Sequence, residues 1–451
     1  MKGERHFAAL LLVYILPNAV LFLIAKALGV GRPLLNVDYA VAVVLLVFGW
    51  RYLAIVLIAV FLCADVLVLF GQVMPFVRLD DLFYLLRFSA MASDYHLMLL
   101  VSSLCLLLLL GIVIYFESRH VSKLVSLVLL NVMLFFSFFQ PAPRAVATER
   151  FYSLPAYWWS KSQTLIFFKV RGSAFLQAFD DEGVALKRSD ASSASMPFEI
   201  DNVHGAVSER VMLVVAESWG QTVDSRIREK LLEPLTALPS RLIEQGEVLS
   251  TGWTLAGELR ELCHLVPIHY NLKPVTEGFE HCLPNQLRSL GYRTLSLHGA
   301  TGLMYDRIYW YPRVGFERSI FFESRLWPRR CYSFPGACDA DLFEQVRSFF
   351  QGSGRRFLYW LTLNSHAPYD ERDISGSYFN CLSFSIEPSS EVCRNLMLQA
   401  QFFNGLAGLM RDEAMSGVQV VVVGDHPPVM IDGEQKNKYF LNDRVPWVYV
   451  R

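Results

Sequence analysis

Charge is scarce in this chain. Asp, Glu, Lys and Arg make up 18% of its 451 residues and nearly cancel, leaving a formal net charge of −1. No strong global field draws such a chain to a polyanion. It also lacks a basic tail, zinc-finger spacing and a helix-turn-helix signature. Nucleic acid is therefore excluded as a partner. No internal repeat is evident.

Apolar residues fill the space that charge leaves. They reach 53%, too much for an ordinary soluble enzyme. The excess sits between Phe7 and Gln140, and a membrane-crossing helix needs about 20 such residues. Apolar runs near 7–28, 36–50, 52–74, 95–117 and 121–140 are read as five spans. Gly49, Trp50, Arg51 and Tyr52 break one long run into a hairpin. The first span is too long for a cleaved signal peptide and reads as an anchor. With the N-terminus inside, the inner segments carry Lys2, Arg5, Arg51, Arg119 and Lys123. The outer loops carry Lys26 and Arg32, then Arg78 and Arg87 offset by Asp80 and Asp81. This bias puts everything after Gln140 outside the cytoplasm.

Cysteine usage points the same way. Cys63 and Cys105 fall inside spans and are expected to pack as small hydrophobes. Cys263, Cys282, Cys331, Cys338, Cys381 and Cys393 fall in the exported part, where disulfides persist. Proximity in sequence favours Cys263–Cys282, Cys331–Cys338 and Cys381–Cys393.

Residues 1–140 are thus expected to form the transmembrane domain, 141–206 an interfacial helix and linker, and 207–451 the extracytoplasmic domain. In the linker, Phe151, Tyr152, Tyr157, Trp158, Trp159, Phe167 and Phe168 mix with Lys161, Lys169 and Arg171. That composition suits a helix at headgroup level, with a buried linker helix as the alternative. Lys187 to Met196 reads as a flexible joint. Beyond it, strands are expected at 211–216, 293–297, 357–363, 418–423 and 446–450. Helices are expected at 226–244, 284–290, 340–351 and 394–413. The alternation predicts an α/β domain with a mainly parallel central sheet flanked by helices.

Four separated fragments carry the residues suited to chemistry. They are Glu217 in VVAESWG, Thr254 in GWTLAGE, His298 to Arg307 in HGATGLMYDR, and Asp425–His426 in VVVVGDHPP. In open α/β sheets chemistry collects at the carboxyl ends of the strands. Glu, Asp and His are metal ligands, and a Thr beside a divalent cation can become a nucleophile. A metal site with an alkoxide-forming Thr is therefore expected. Each fragment also has a plainer reading. Glu217 could cap a helix, Thr254 could be an N-cap, and Glu258 could belong to a capping or salt-bridge pair. Adjacent strand residues face opposite sides, so Asp425 and His426 converge only if the chain turns, as Pro427 and Pro428 enforce. His298 and His366 follow strands, and Arg307 offers a planar fork suited to phosphate. His204, His264, His269 and His281 follow no strand and read as surface or structural.

In this order the fragments resemble the alkaline phosphatase superfamily. More closely, they resemble its membrane-anchored headgroup transferases: lipoteichoic acid synthases and periplasmic glucan phosphoglycerol transferases, with phosphoethanolamine transferases more distant. The resemblance implies that Glu217, Thr254, Asp425 and His426 bind a divalent metal, with Thr254 as nucleophile. The Gly-x-Thr-x-x-x-Glu pattern stands as Gly252, Thr254 and Glu258. His298, Tyr305, Arg307 and His366 match the substrate-binding residues of the phosphoglycerol type, and His366 or His298 would move protons. Tyr305 stands where the lipoteichoic enzymes have Trp. The Cys-x-Pro-Ser-Arg motif of sulfatases is absent, which argues against sulfate ester hydrolysis.

The function so implied is transfer of a phosphoglycerol headgroup from phosphatidylglycerol to a cell-surface or periplasmic glycan. It would run through a covalent intermediate on Thr254, at a bacterial inner membrane with the catalytic domain facing the periplasm. One His, two carboxylates and an alkoxide suit Mn2+ or Zn2+ better than Mg2+, which stays open. The alternatives are a phosphoethanolamine transferase using phosphatidylethanolamine, a lipid phosphodiesterase with water as acceptor, and an inactive glycan- or partner-binding membrane protein.

Overall fold

The computed structural model describes residues 8–9, 11–28, 31–73, 94–139, 159–165, 168, 177–198, 208–239, 241–334 and 336–451. The chain divides into two compact units, Met1–Gln177 and Ala178–Arg451.

The first unit is helical. Among the described residues it contains α1 (Leu16–Leu28), α2 (Asp38–Val47), α3 (Arg51–Val73), α4 (Asp94–Glu117) and α5 (Lys123–Phe138). One described helix is long and apolar enough to cross a membrane by itself, over Arg51–Leu69, with mean hydropathy 2.8. The other four expected spans are not shown by this measure among the described residues. The second expected span, 36–50, is realised as a 10-residue helix. That is about 15 Å, half of a hydrocarbon core of about 30 Å. The chain breaks where the Gly49–Tyr52 interruption predicted, with Gly49 at a φ of +83°.

A cluster of polar groups inside this unit is paired around one carboxylate, as a low-dielectric interior favours. Arg32 and Asp65 form a fully buried ion pair, Nη2 to Oδ2 at 2.7 Å. The other Arg32 donors reach Asp65 Oδ1, the Asn18 side chain and carbonyl, and the Pro33 carbonyl. Asn36, Tyr39 and Gln163 also donate to Asp65. Strand β1 (Leu35–Asn36) pairs in parallel with β2 (Ser160–Lys161) beside this cluster. Arg51 instead donates to Ser118 Oγ and the Tyr115 carbonyl. Asp65 lies roughly 21 Å further along the same helix. Arg32, expected in an outer loop, is thus buried against α3. Cys63 and Cys105, expected to be packed, are exposed on α3 and α4. Of the linker aromatics and bases, Trp159, Lys161 and Phe168 are described; Phe151, Tyr152, Tyr157, Trp158, Phe167, Lys169 and Arg171 lie outside the described residues, as does His204.

The second unit is built on a sheet. Its strands are β4 (Arg210–Ala216), β5 (Ile243–Leu249), β7 (Arg293–His298), β8 (Arg318–Ile320), β9 (Arg356–Leu361), β10 (Gln419–Gly424) and β11 (Arg444–Val450), in the order β5-β11-β10-β4-β9-β7-β8. A small separate ladder joins β3 (Leu186–Arg188) to β6 (Leu265–Pro267). Helices α6 (Ser225–Thr236), α7 (Thr254–Cys263), α8 (Leu283–Ser289), α9 (Arg307–Val314), α10 (Asp339–Phe350), α11 (Glu391–Met410) and α12 (Gly433–Tyr439) complete the described set. The interior strands β4, β9 and β10 are covered on both faces, so they read as continuous Val, Leu, Phe and Trp. Their residues form one core with Trp219, Phe403 and Leu406.

The sheet is mixed. β4, β7, β8, β9 and β10 pair in parallel, but β11 runs antiparallel to both β10 and β5. Residues 425–443 stay at the end of the sheet where β10 stops, so the chain re-enters it from that same end. A parallel return would need a crossover to the opposite end. The helix expected at 226–244 ends at Thr236, and Ile243–Leu249 is an edge strand instead. Its polar IEQGEVL sequence suits a half-exposed edge and hid it from a search for apolar runs.

The three expected disulfides are present: Cys263–Cys282, Cys331–Cys338 and Cys381–Cys393. Cys381–Cys393 closes a loop with a sequence separation of 12. Cross-linking a loop of that size stabilises by about 3 kcal/mol through the unfolded state. Replacing both residues by Ser should lower unfolding stability by about that amount in denaturant titration, with no change in the thiol count of the native protein.

Candidate metal centre

The carboxyl ends of adjacent strands are in register. Ala216 pairs with Gly424, and Leu361 pairs with His298 on its other side. Glu217 follows β4, Asp425–His426 follow β10, His298 ends β7, and His366 lies just past β9. β5 points the same way and leads through Gly252 to Thr254. Gly252 has a φ of +140°, a conformation that a side chain would strain.

Glu217, Asp425 and His426 are buried, and their ligand atoms lie within 4.8 Å of one another. His426 Nε2 is 3.5 Å from Glu217 Oε1 and 3.3 Å from Asp425 Oδ2. Thr254 Oγ1 lies 3.3 Å from Glu217 Oε2 and 3.3 Å from His426 Nε2. Thr254 is not a cap: the N-cap of α7 is Trp253, and Thr254 is its first residue. Its hydroxyl faces the carboxylates and imidazole.

Neighbouring groups fix the ligands. Ser218 N and His426 N both donate to Asp425 Oδ1, at 2.7 and 2.6 Å. Ser218, at a φ of +54°, turns the chain and also donates from Oγ to Glu217 Oε1. The Glu217 backbone is held by Thr362, Ser365 and Gln399, and the Ser218 carbonyl by Asn395. His426 Nδ1 donates to the Pro427 carbonyl, which leaves the Nε2 lone pair facing the site.

This donor set fits a divalent cation. Asp425 Oδ2 is buried and has no hydrogen-bond donor. Ligands at 2.0–2.2 Å in a tetrahedron stand roughly 3.3–3.6 Å apart, and His426 Nε2 lies at that spacing from Glu217 Oε1, Asp425 Oδ2 and Thr254 Oγ1. Charge agrees as well. Burial, then the Glu217 charge, pushes the Asp425 carboxyl up to about 7. Burial pulls the His426 imidazole down, but Asp425 and Glu217 together leave it above its ordinary value. A cation would relieve this crowding of negative charge. Cys331, Cys338 and Asp373 also cluster, but that pair of cysteines is a disulfide and offers no thiolate.

The other expected residues divide. His298 Nδ1 donates to the Leu361 carbonyl, and His366 Nδ1 to the Ala367 carbonyl at 2.6 Å. Each ring therefore keeps Nε2 as an acceptor when neutral. Burial pushes the His366 imidazole down to about 4. Burial, then the Arg307 charge, drives His298 well below its ordinary value. The His366 loop is stapled by Asp339, which accepts from Leu363 N and Asn364 N while burial pushes its own carboxyl up to about 7.

Arg307 and Tyr305 are placed otherwise than expected. Arg307 is buried, and its Nε and Nη2 grip Glu258 at 3.0 and 2.7 Å. Tyr311 and Tyr359 donate to the same carboxylate. The fork expected to hold phosphate is thus engaged by the Glu of the Gly-x-Thr-x-x-x-Glu pattern. Tyr305 is buried as well, stacked on Phe179 at 5.4 Å and edge-on to Tyr270 at 5.6 Å. Sequence reading missed Ser218, Thr362, Ser365, Asn395 and Gln399. Ser218 and Ser365 adjoin the expected ligands in sequence, but nothing local marks Asn395 or Gln399 on the long α11.

Residues 257–388 match the family model described as Sulfatase. The matched stretch opens within α7, shortly after Thr254, and contains His298, Arg307 and His366. No curated protein matches the sequence. Among solved structures, the chain is similar to the lipoteichoic acid synthase LtaP from Listeria monocytogenes, at 17% identity over 54% of this chain and 65% of that one, with a TM-score of 0.44. It thus spans a little under two thirds of that relative. It is also similar to the phosphoglycerol transferase GacH from Streptococcus pyogenes in complex with sn-glycerol-1-phosphate, at 15% identity over 59% and 78% of the two chains, TM-score 0.40. A third is the C-terminal periplasmic domain of EcEptC from Escherichia coli in complex with Zn, at 13% identity over 58% and 75%, TM-score 0.37.

Because the folded unit keeps His298 neutral, the unfolded chain alone takes up its proton as pH falls below about 6.5. Unfolding stability should therefore decline with falling pH in that range. His298→Gln should flatten that part of the curve in denaturant titrations across pH. An unchanged slope would contradict a neutral buried imidazole.

Proposed function

We propose that this chain is a membrane-anchored, metal-dependent phosphotransferase that moves a phosphoglycerol headgroup from phosphatidylglycerol to a cell-surface or periplasmic glycan. The observation that carries the reading is Thr254. It is buried, it does no capping work, and its hydroxyl lies 3.3 Å from both a carboxylate oxygen and an imidazole nitrogen. A hydroxyl so placed is a nucleophile held ready.

Glu217, Asp425, His426 and Thr254 would hold the divalent metal. When bound, it would lower the pKa of the hydroxyl and neutralise a phosphate oxygen. A single His with oxygen donors suits Mn2+ or Zn2+. Thr254 Oγ1 attacks the phosphorus of the diester and the bond to the diacylglycerol oxygen breaks. The Thr254 proton passes to a base and then to the departing diacylglycerol. The headgroup phosphate is left esterified to Thr254. An acceptor hydroxyl then attacks the same phosphorus, the bond from phosphorus to Thr254 Oγ1 breaks, and the acceptor's proton passes through the base to Thr254. Nε2 of His366 or His298, unprotonated at neutral pH, serves as the base. Arg307 acts through Glu258, clamping the loop that bears Tyr305 to the nucleophile helix.

Two features support an outward-facing catalytic unit. The Arg51–Ser118 contact and the Arg32–Asp65–Gln163 cluster lie roughly 21 Å apart along α3. Arg51, read as an inner base, is thus well separated along the helix from the cluster that holds Arg32, read as an outer one. The three disulfides require an oxidising compartment. A phosphoethanolamine transferase would share the site and differ in the headgroup pocket.

Purified protein incubated with labelled phosphatidylglycerol or phosphatidylethanolamine should release diacylglycerol from the true donor only. Thr254→Ala should lower turnover by at least about a thousandfold while keeping the circular dichroism and melting behaviour of the parent. Near-normal turnover by that variant would remove the covalent mechanism.

A further inference from the structure

Two buried charges on the nucleophile helix play no part in the chemistry above. Arg260 and Glu261 are both 0% exposed and paired, Nε to Oε1 at 2.6 Å. Arg260 turns its other nitrogens to strand ends. Nη2 donates to the Gly424 carbonyl at 2.7 Å, and Nη1 reaches the Asp425 carbonyl at 3.4 Å and the Leu249 carbonyl at 3.2 Å. These carbonyls belong to the ligand Asp425, to the residue before it, and to the end of β5, which leads to Thr254. On the same helix, Gly257 lies against Asp425 so closely that a Cβ there would fall 2.8 Å from its backbone.

Glu261 is satisfied from another direction. Its Oε2 accepts from Ser193 Oγ at 2.8 Å, Ala194 N at 2.9 Å and Ser195 N at 3.1 Å. Ser195 Oγ returns a bond to the Glu261 carbonyl at 2.7 Å. The segment read from sequence as a flexible joint is therefore ordered here. β3 pairs with β6 just beyond α7, and Ser193–Ser195 wrap a buried carboxylate. A buried Glu that gathers three such donors and an Arg is costly to disturb in part.

We propose that Arg260 and Glu261 are positioning residues for the metal centre, and that the strap Ser193–Ser195 completes them. Arg260 fixes the main chain of Asp425 and so the aim of its carboxylate. Glu261 holds Arg260 flat against the strand ends, and the strap holds Glu261. This inference rests on the metal-site reading above.

The test is metal affinity, read apart from turnover. Full-length protein stripped by chelator is titrated with Mn2+ and with Zn2+ by calorimetry. Asp425→Asn serves as the ligand control, and the Cys381→Ser/Cys393→Ser variant as a control for general loss of stability. Arg260→Lys and Arg260→Met/Glu261→Gln should weaken binding by roughly tenfold to a hundredfold, the range for groups that orient ligands. Ser193→Ala/Ser195→Ala should move it the same way by a smaller factor. The disulfide variant should melt earlier with unchanged affinity. A folded Arg260 variant with the parent's affinity overturns the proposal. Should neither Arg260 variant fold, unchanged affinity in the serine variant overturns it. If the parent itself binds no metal, or Asp425→Asn binds as the parent does, the metal-site reading falls and the brace with it.

Discussion

Two carboxylates and an imidazole gathered at a buried strand edge form an electrostatic problem that the fold around them is arranged to hold. Burial keeps water from screening Glu217 and Asp425; the Glu217 charge raises the proton affinity of Asp425, and both raise that of His426. The backbone amides of Ser218 and His426 offset only one Asp425 oxygen. The other oxygen has no donor. A divalent cation would answer both the charge and the open lone pair, and the Thr254 hydroxyl lies 3.3 Å from Glu217 and from His426.

Helix α7 carries much of this arrangement on a 10-residue span. Its first residue presents the hydroxyl. Gly257 lets it pack against Asp425, Glu258 receives Arg307 with Tyr311 and Tyr359, and Arg260 and Glu261 reach the strand ends and the strap. Cys263 then ties its last turn to Cys282. Nearly every polar side chain of the helix is buried and satisfied. Such a network specifies one geometry, because partial satisfaction would strand charges in a low dielectric.

The strand ends were legible because apolar β-branched runs that stop at Glu217 and Asp425 have few other readings. The disulfide partners were legible because short separations dominate loop closure. The partner of Arg307 was not legible, for a reason that sequence cannot repair. A guanidinium fork fits a phosphate and a carboxylate equally well, and only folding showed that Glu258 is the partner in reach. The edge strand Ile243–Leu249 was missed because a half-exposed strand need not be apolar. The Ser-rich strap was missed because composition alone cannot reveal a buried carboxylate far along the chain.

The sequence by itself determined where strands end, which residue types stand there, and that a long apolar section precedes them. These are local properties, carried by periodicity, hydropathy and short spacing. Tertiary structure alone decided which of those side chains meet, that β11 runs against its neighbours, and that Thr254 faces the ligands instead of capping its helix. Contacts between residues far apart in the chain depend on strand order and register, and neither is encoded within any one segment.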